Sequence, residues 1–248
     1  MDPPSPLLTV PTKRSERWEL IRKLIGQWFP DAGYNRRIPS GESPPAPPPA
    51  ACPALAELYH LVCDQPMVWC RQEALFDPHG YKFGGDFLVM GLENQCCAYW
   101  GVRHTDMCSD DPPVFLDPQA DGHWLRENTT VSEFAVTWLA SSIKWSQRTR
   151  CWAHGAGKKE ALAIVQNHYP RLGLPDWNWP ASPTRFYGTA NLLLEISGDD
   201  DYVRYSVATR TKAAFADFQR FMHVVDVSWD SSSDQWPDGW VNSSQDLA

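Results

Sequence analysis

Apolar residues recur along this chain at two periods, and the changes between them mark its elements. Over Lys13–Phe29, Trp18, Ile21, Leu24, Ile25 and Trp28 fall at helical spacing. Ser15 or Thr12 can cap that helix, and Pro30-Asp31-Ala32-Gly33 ends it. A second helix starts at Cys52-Pro53, with Leu55, Leu58, Tyr59 and Val62 on one side and Gln65-Pro66 closing it. Trp69–Phe76 reads as another short helix or a loop. Phe87–Met90 and Cys96–Val102 then read as two strands of a hairpin turned by Glu93-Asn94-Gln95. Val114–Leu116 is a further strand after Pro112-Pro113, Asp117–Gly122 is a turn, and Trp124 falls where the sheet gives way to a helix. Thr130 or Ser132 caps that helix, with a capping box in Thr129–Glu133 and Phe134, Trp138 and Leu139 on its buried side.

The second half repeats the alternation. Gly155–Lys159 reads as a loop opening a helix from Lys159 to Tyr169. It lacks the spacing and the hydroxyl of a phosphate loop. Pro170–Pro183 is an ordered connection carrying Trp177 and Trp179. Thr184–Ser197 is a strand region centred on Leu192–Ile196, Gly198–Asp201 a turn, Tyr202–Ala208 a strand and Thr211–Met222 a helix. The expected organisation is a helix in 1–30, a proline-rich tether in 31–51, a domain over 52–225 with an insertion around 143–183, and an acidic, tryptophan-containing tail in 226–248.

Composition narrows the partners. A net charge of −8 argues against general affinity for nucleic acid or anionic membrane. The basic stretch Lys144–Arg150, flanked by Trp145 and Trp152, is short and reads as a solvated face. No run approaches a membrane span, and Met1–Pro6 has neither a basic region nor an apolar secretion segment, so a cytoplasmic location is expected. The 7 cysteines are irregularly spaced, which favours reduced, buried thiols over a disulfide framework. Cys96 and Cys97, if in a strand, would face opposite ways, so no metal site is expected there.

Candidate chemistry centres on Glu93, whose carboxylate can hold a turn through backbone N–H groups or, given a partner and a cleft, act as an acid or base. Asn94 tolerates turn angles and its amide can tie strands together, and Gln95 can do similar work. Asp110 and Asp111 are placed to organise the proline turn. They could serve hydrolysis only if they faced a common substrate. His104 and Asp106 near Cys97 permit a triad on paper, but no nucleophile elbow fixes one.

Cys52–Tyr59, Phe87–Met90, Glu93-Asn94-Gln95, Tyr99–Val102, Asp111-Pro112-Pro113-Val114, Trp124 and Ser132-Glu133-Phe134 together resemble the SMI1/KNR4 family (the SUKH superfamily), most closely its actinobacterial-style members. The resemblance spans roughly residues 50 to 142, and Arg185–Phe221 is a weaker continuation. It implies an α+β fold, a mostly antiparallel sheet packed by helices. It implies no catalytic residues and no cofactor. Bacterial members are viewed as immunity proteins that bind polymorphic toxins, often nucleases, and fungal relatives as regulatory scaffolds. The expectation is therefore a non-enzymatic protein-binding domain, an immunity protein whose acidic balance suits a basic toxin or nuclease domain. A regulatory scaffold and a small hydrolase using Glu93 and Asp110 or Asp111 are the alternatives. Glu93, Asn94, Gln95, Trp100, Asp111, Pro112 and Trp124 are expected to form the structural motif or contact the partner.

Overall fold

A computed structural model describes residues 4–29, 52–69, 73–75, 83–144, 151–198, 202–222 and 227–229. The stretch 31–51 and most of the tail lie outside the described residues, except Val227–Trp229, which is a strand. The chain divides into two compact units, Pro11–Trp145 and Met1–Val10 with Ser146–Ala248. The boundary falls inside the stretch around 143–183 read from the sequence as an insertion, and the first helix belongs with the central segment. The α+β class, antiparallel and packed by helices, is as expected, but where one sheet was expected there are two, one in each unit.

Among the described residues, the Pro11–Trp145 unit has helices α1 (Arg14–Trp28), α2 (Pro53–Asp64), the short α3 (Pro66–Trp69) and α4 (Val131–Ile143). Its strands are β1 (Glu73–Leu75), β2 (Phe83–Gly84), β3 (Phe87–Glu93), β4 (Tyr99–Arg103), β5 (Val114–Asp117) and β6 (Leu125–Asn128). They order β1-β3-β4-β5-β6 with β2 also on β3, every pairing antiparallel. Pro53 opens α2 at its first turn, as its fixed φ favours. α1 begins at Arg14 with Lys13 at the cap position and no side-chain cap bond, so neither Ser15 nor Thr12 serves.

α4 is the centre of this unit. Every residue from Val131 to Ile143 except Glu133 is buried, and the helix packs against α1, α2, α3 and β6. A helix enclosed on all sides must satisfy its own polar groups. Thr137 donates back to the Glu133 carbonyl at 3.2 Å and Ser142 to the Trp138 carbonyl at 2.8 Å. The Trp138 indole N–H reaches the Trp69 carbonyl at 3.2 Å. Its ring meets Trp100 edge-on, centroids 5.0 Å apart. Gly91 makes room for this pair, since a Cβ there would lie 3.4 Å from both the Trp138 ring and Trp100 Cβ, and 3.0 Å from Leu75. The register slip between Val89 and Gly91 sits at the same point of β3.

The second unit holds, among its described residues, β7 (Cys151–Lys158), α5 (Lys159–His168), β8 (Thr184–Gly188), β9 (Leu192–Ser197), β10 (Tyr202–Thr209), α6 (Lys212–Met222) and β11 (Val227–Trp229). Its antiparallel sheet runs β11-β7-β10-β9-β8. Leu162 and Val165 of α5, Tyr169 just after it, and Phe215, Phe218 and Met222 of α6 share one core with Leu194, Ile196, Val203, Tyr205 and Val207. Burial pushes the Tyr205 phenol up to about 12. Residues 4–10 join this unit, where the Gly173 N–H donates to the Leu7 carbonyl at 2.8 Å. A side chain at Gly173 would strike the Leu8 carbonyl at 2.8 Å.

Four sequence expectations change. Gly155–Lys159 is no loop: Gly155, Ala156, Gly157 and Lys158 belong to β7, paired on one side by β10 and on the other by β11. Two non-local neighbours supply the backbone bonds that local propensity does not. Trp124 leads into a strand, β6, before α4 begins. Trp69–Phe76 contains the end of α3 and the strand β1. Thr184–Ser197 is two strands, β8 and β9, turned at Gly188, whose φ of +145° suits glycine.

Replacing Trp138 by alanine is expected to cost about 3–5 kcal/mol. Leu125→Ala, at a side chain 51% exposed, is expected to stay within about 0.5 kcal/mol. Urea unfolding of both variants checks the contrast.

Candidate functional site

Most of the residues singled out from the sequence gather at two places in the Pro11–Trp145 unit, and Trp100 and Trp124 lie elsewhere on its sheet. The first is the β3–β4 turn. Glu93 ends β3 and is only 4% exposed. Its Oε2 accepts the Gln95 N–H at 2.6 Å and the Cys97 thiol at 3.1 Å. The Glu93 N–H donates to the Ala98 carbonyl at 3.0 Å and its carbonyl accepts from Cys96 N–H at 2.8 Å. One carboxylate and its own peptide groups therefore close the turn. The left-handed position falls on Cys96, with φ of 60°, and not on Asn94. Gln95 contributes its main chain where an amide had been expected, and the side chains of Asn94 and Gln95 are exposed.

β4 starts at Tyr99, so Cys96 and Cys97 stand in the turn and strand alternation does not govern them. Both are exposed free thiols, as is Cys108, against the expectation of burial. Cys52 is buried. The hydrogen bond to Glu93, then loss of solvent contact, raises the Cys97 thiol above its ordinary range, because a neighbouring carboxylate disfavours a thiolate. Burial does the same to Cys52. His104 and Asp106 form a single 3-10 turn after β4, while the Cys97 thiol is engaged by Glu93. Among the described residues no group of three or more His, Cys, Asp or Glu side chains is placed to hold a metal ion.

The second place is the loop Asp110–Pro112, where the main chain receives two helix starts. The Asp110 carbonyl accepts Ala54 N–H of α2 at 3.0 Å and Arg14 Nη1 at 3.0 Å. The Pro112 carbonyl accepts Val131 N–H, the first of α4, at 2.8 Å. Asp111 uses its side chain, taking Ser132 N–H at 2.9 Å and the Ser132 hydroxyl at 2.5 Å. An acid here also meets the positive end of the α4 dipole. Thr130 caps α4 by accepting Glu133 N–H at 3.1 Å. Glu133 reaches back to Thr129, to its N–H at 2.8 Å and its hydroxyl at 2.5 Å, one residue earlier than a standard capping box.

Arg17 of α1 joins these groups, and the sequence reading did not single it out. It is 7% exposed. Its Nε donates to the Pro11 carbonyl at 2.7 Å, and Nη1 donates to the hydroxyls of Thr130 at 2.7 Å and Ser132 at 3.1 Å. Asp111 and Glu133 oxygens stand 4.0 and 3.8 Å from the guanidinium. The hydroxyls make the direct bonds, while the two carboxylates supply opposite charge at a distance where a buried cation needs it. Arg17 falls at helical spacing with Ile21 and Leu24. An arginine among apolar positions was the available signal.

Trp124 and Trp100 end on opposite faces of the sheet. Trp100 is buried toward α4. Phe87, Arg103 and Phe115 share the other face through the pairings Phe87–Arg103 and Gly101–Phe115. There Trp124 stacks on Phe87 with centroids 4.2 Å apart and crosses Gly101, where a Cβ would meet its ring at 3.2 Å. The Arg103 guanidinium lies 5.4 Å from the Phe87 centroid and 4.8 Å from that of Phe115. Trp124 is half-buried and Arg103 exposed.

Of Lys144–Arg150, Lys144 alone is described, and it is buried. No helix among the described residues is long and apolar enough to cross a membrane. Comparisons with family models, curated proteins and solved structures give no match to this chain.

Asp111→Asn is expected to destabilise by about 3 kcal/mol, since it removes charge from beside a buried arginine. Asp110→Asn, which leaves the working carbonyl in place, is expected to change stability by no more than about 0.5 kcal/mol. Chemical denaturation of the two single variants separates the roles. At the other place, Glu93→Gln removes the charge that opposes a Cys97 thiolate. The pH profile of Cys97 alkylation should move to lower pH, and an unmoved profile would remove the carboxylate as its cause.

Proposed function

We propose that this chain is a non-enzymatic protein-binding domain, and within that class an immunity protein that neutralises a polymorphic toxin in the cytoplasm. The observation that carries the binding reading is the outer sheet face with Trp124 stacked on Phe87 and Arg103 laid over Phe87 and Phe115. Tryptophan and arginine held in place by a sheet are the residue types that concentrate binding energy at protein interfaces. Their rotamers are already restricted by stacking, so less entropy is lost when a partner docks.

The carboxylates on which a hydrolytic reading would rest are engaged otherwise. Glu93 binds a backbone N–H and a thiol, and Asp111 a backbone N–H and a hydroxyl. Asp110 acts through its carbonyl. This favours a scaffold over an acid–base pair. The immunity role within the binding class rests on the resemblance of the Glu93–Gln95, Tyr99–Val102 and Asp111–Val114 blocks to SMI1/KNR4 domains. The net charge of −8 complements a basic toxin or nuclease domain.

The test pairs this chain with the catalytic domain of a toxin encoded beside its gene. Binding is measured by titration calorimetry and protection by growth on co-expression. Trp124→Ala is expected to weaken the complex about 100-fold and abolish protection while circular dichroism is unchanged. Undiminished binding by that variant would move the interface elsewhere. Failure to bind or protect against any neighbouring toxin would overturn the immunity role.

A further inference from the structure

We propose that Cys96 and Cys97 form a two-thiol site for a soft thiophilic ligand of the trivalent arsenical class, at the exposed tip of the β3–β4 turn. Neighbouring cysteines in a strand point to opposite faces and cannot share a ligand. Here the strand stops at Glu93 and resumes at Tyr99, and the left-handed backbone at Cys96 breaks that alternation. Both thiols are free and exposed.

The choice of ligand follows from the covalent geometry. Adjacent Cα atoms are about 3.8 Å apart across a trans peptide, shorter than the usual span of a disulfide, so direct oxidation of this pair gives a strained, easily reduced ring. A bridging atom between the sulfurs enlarges the ring and relieves that strain. A trivalent arsenic centre with two exchangeable positions supplies one. Soft thiolate ligands also favour soft centres over hard cations.

The capture step balances without a change in oxidation state. Phenylarsine oxide carries one As=O oxygen. Two S–H bonds break, two As–S bonds form, and the oxygen leaves with both protons as water. Each thiol gives its proton to the departing oxygen, and Glu93 Oε2, which accepts the Cys97 thiol at 3.1 Å, holds that sulfur protonated until it attacks. This role adds to the turn-closing bond that Glu93 makes with Gln95 N–H.

The test titrates the reduced full-length chain with phenylarsine oxide, counts remaining thiols and locates the arsenical by peptide mass spectrometry. One equivalent should protect Cys96 and Cys97 together, resist excess monothiol and be released by a dithiol. Cys96→Ala and Cys97→Ser should each weaken capture about 100-fold, the loss of a chelate. Cys108→Ser, at an exposed thiol outside the turn, should change nothing. Glu93→Gln, which frees the Cys97 thiolate, should speed capture with unchanged stoichiometry, and its thermal melt reports whether the turn persists. Arsenical mapped to other cysteines, or Cys96→Ala retaining full affinity, would overturn the proposal.

Discussion

A charged group enclosed where two helices meet is the constraint on which the first unit depends. Arg17 cannot shed its charge, so the elements around it must bring acceptors to it. They come from Pro11, from the hydroxyls of Thr130 and Ser132, and, at longer range, from Asp111 and Glu133. The same atoms also finish the N-terminus of α4: Thr130 caps it and Asp111 holds its Ser132 N–H. One set of groups thereby does two jobs. Moving α4 would strand the arginine, and moving α1 would leave the cap hydroxyls with one donor fewer. The apolar packing of Phe134, Trp138 and Ile143 supplies bulk attraction, which is non-directional. The polar cluster gives it a register.

How much of this could be seen beforehand follows the range of each interaction. The periods of α1, α2, α4, α5 and α6 were legible because an amphipathic or apolar pattern is local. The cap at Thr130 was legible for the same reason. Strands with a clear alternating or apolar run, β3, β5 and β10, were visible too. β7 was not, because Gly155, Ala156 and Gly157 carry no alternation and the strand exists through β10 and β11. β6 was hidden by its two exposed leading residues, Leu125 and Arg126, and by its brevity.

The candidate site was legible in its residues and less so in its geometry. Glu93 and Asp111 were marked as organisers of turns; Glu93 bonds within its own turn, while nothing in the spacing shows that Asp111 reaches α4 or that Arg17 lies beside it, 94 positions earlier in the chain. Asn94 was read as a residue that tolerates turn angles most residues resist, a left-handed one among them. The structure gives that angle to Cys96, because Glu93 secures the preceding N–H at Gln95 and the turn completes one step later. Side-chain to main-chain bonds of this kind decide turn detail and leave little trace in composition.

The closure of that turn by Glu93 alone has an evolutionary side. The bonds that shape it use a carboxylate at the end of β3 and peptide groups common to every non-proline residue, so the side chains at Asn94 and Gln95 carry none of the structural requirement. Those two positions can drift in chemistry while the loop keeps its shape. A lineage under pressure to meet a changing counterpart could rewrite the tip a residue at a time, leaving the fold behind it untouched.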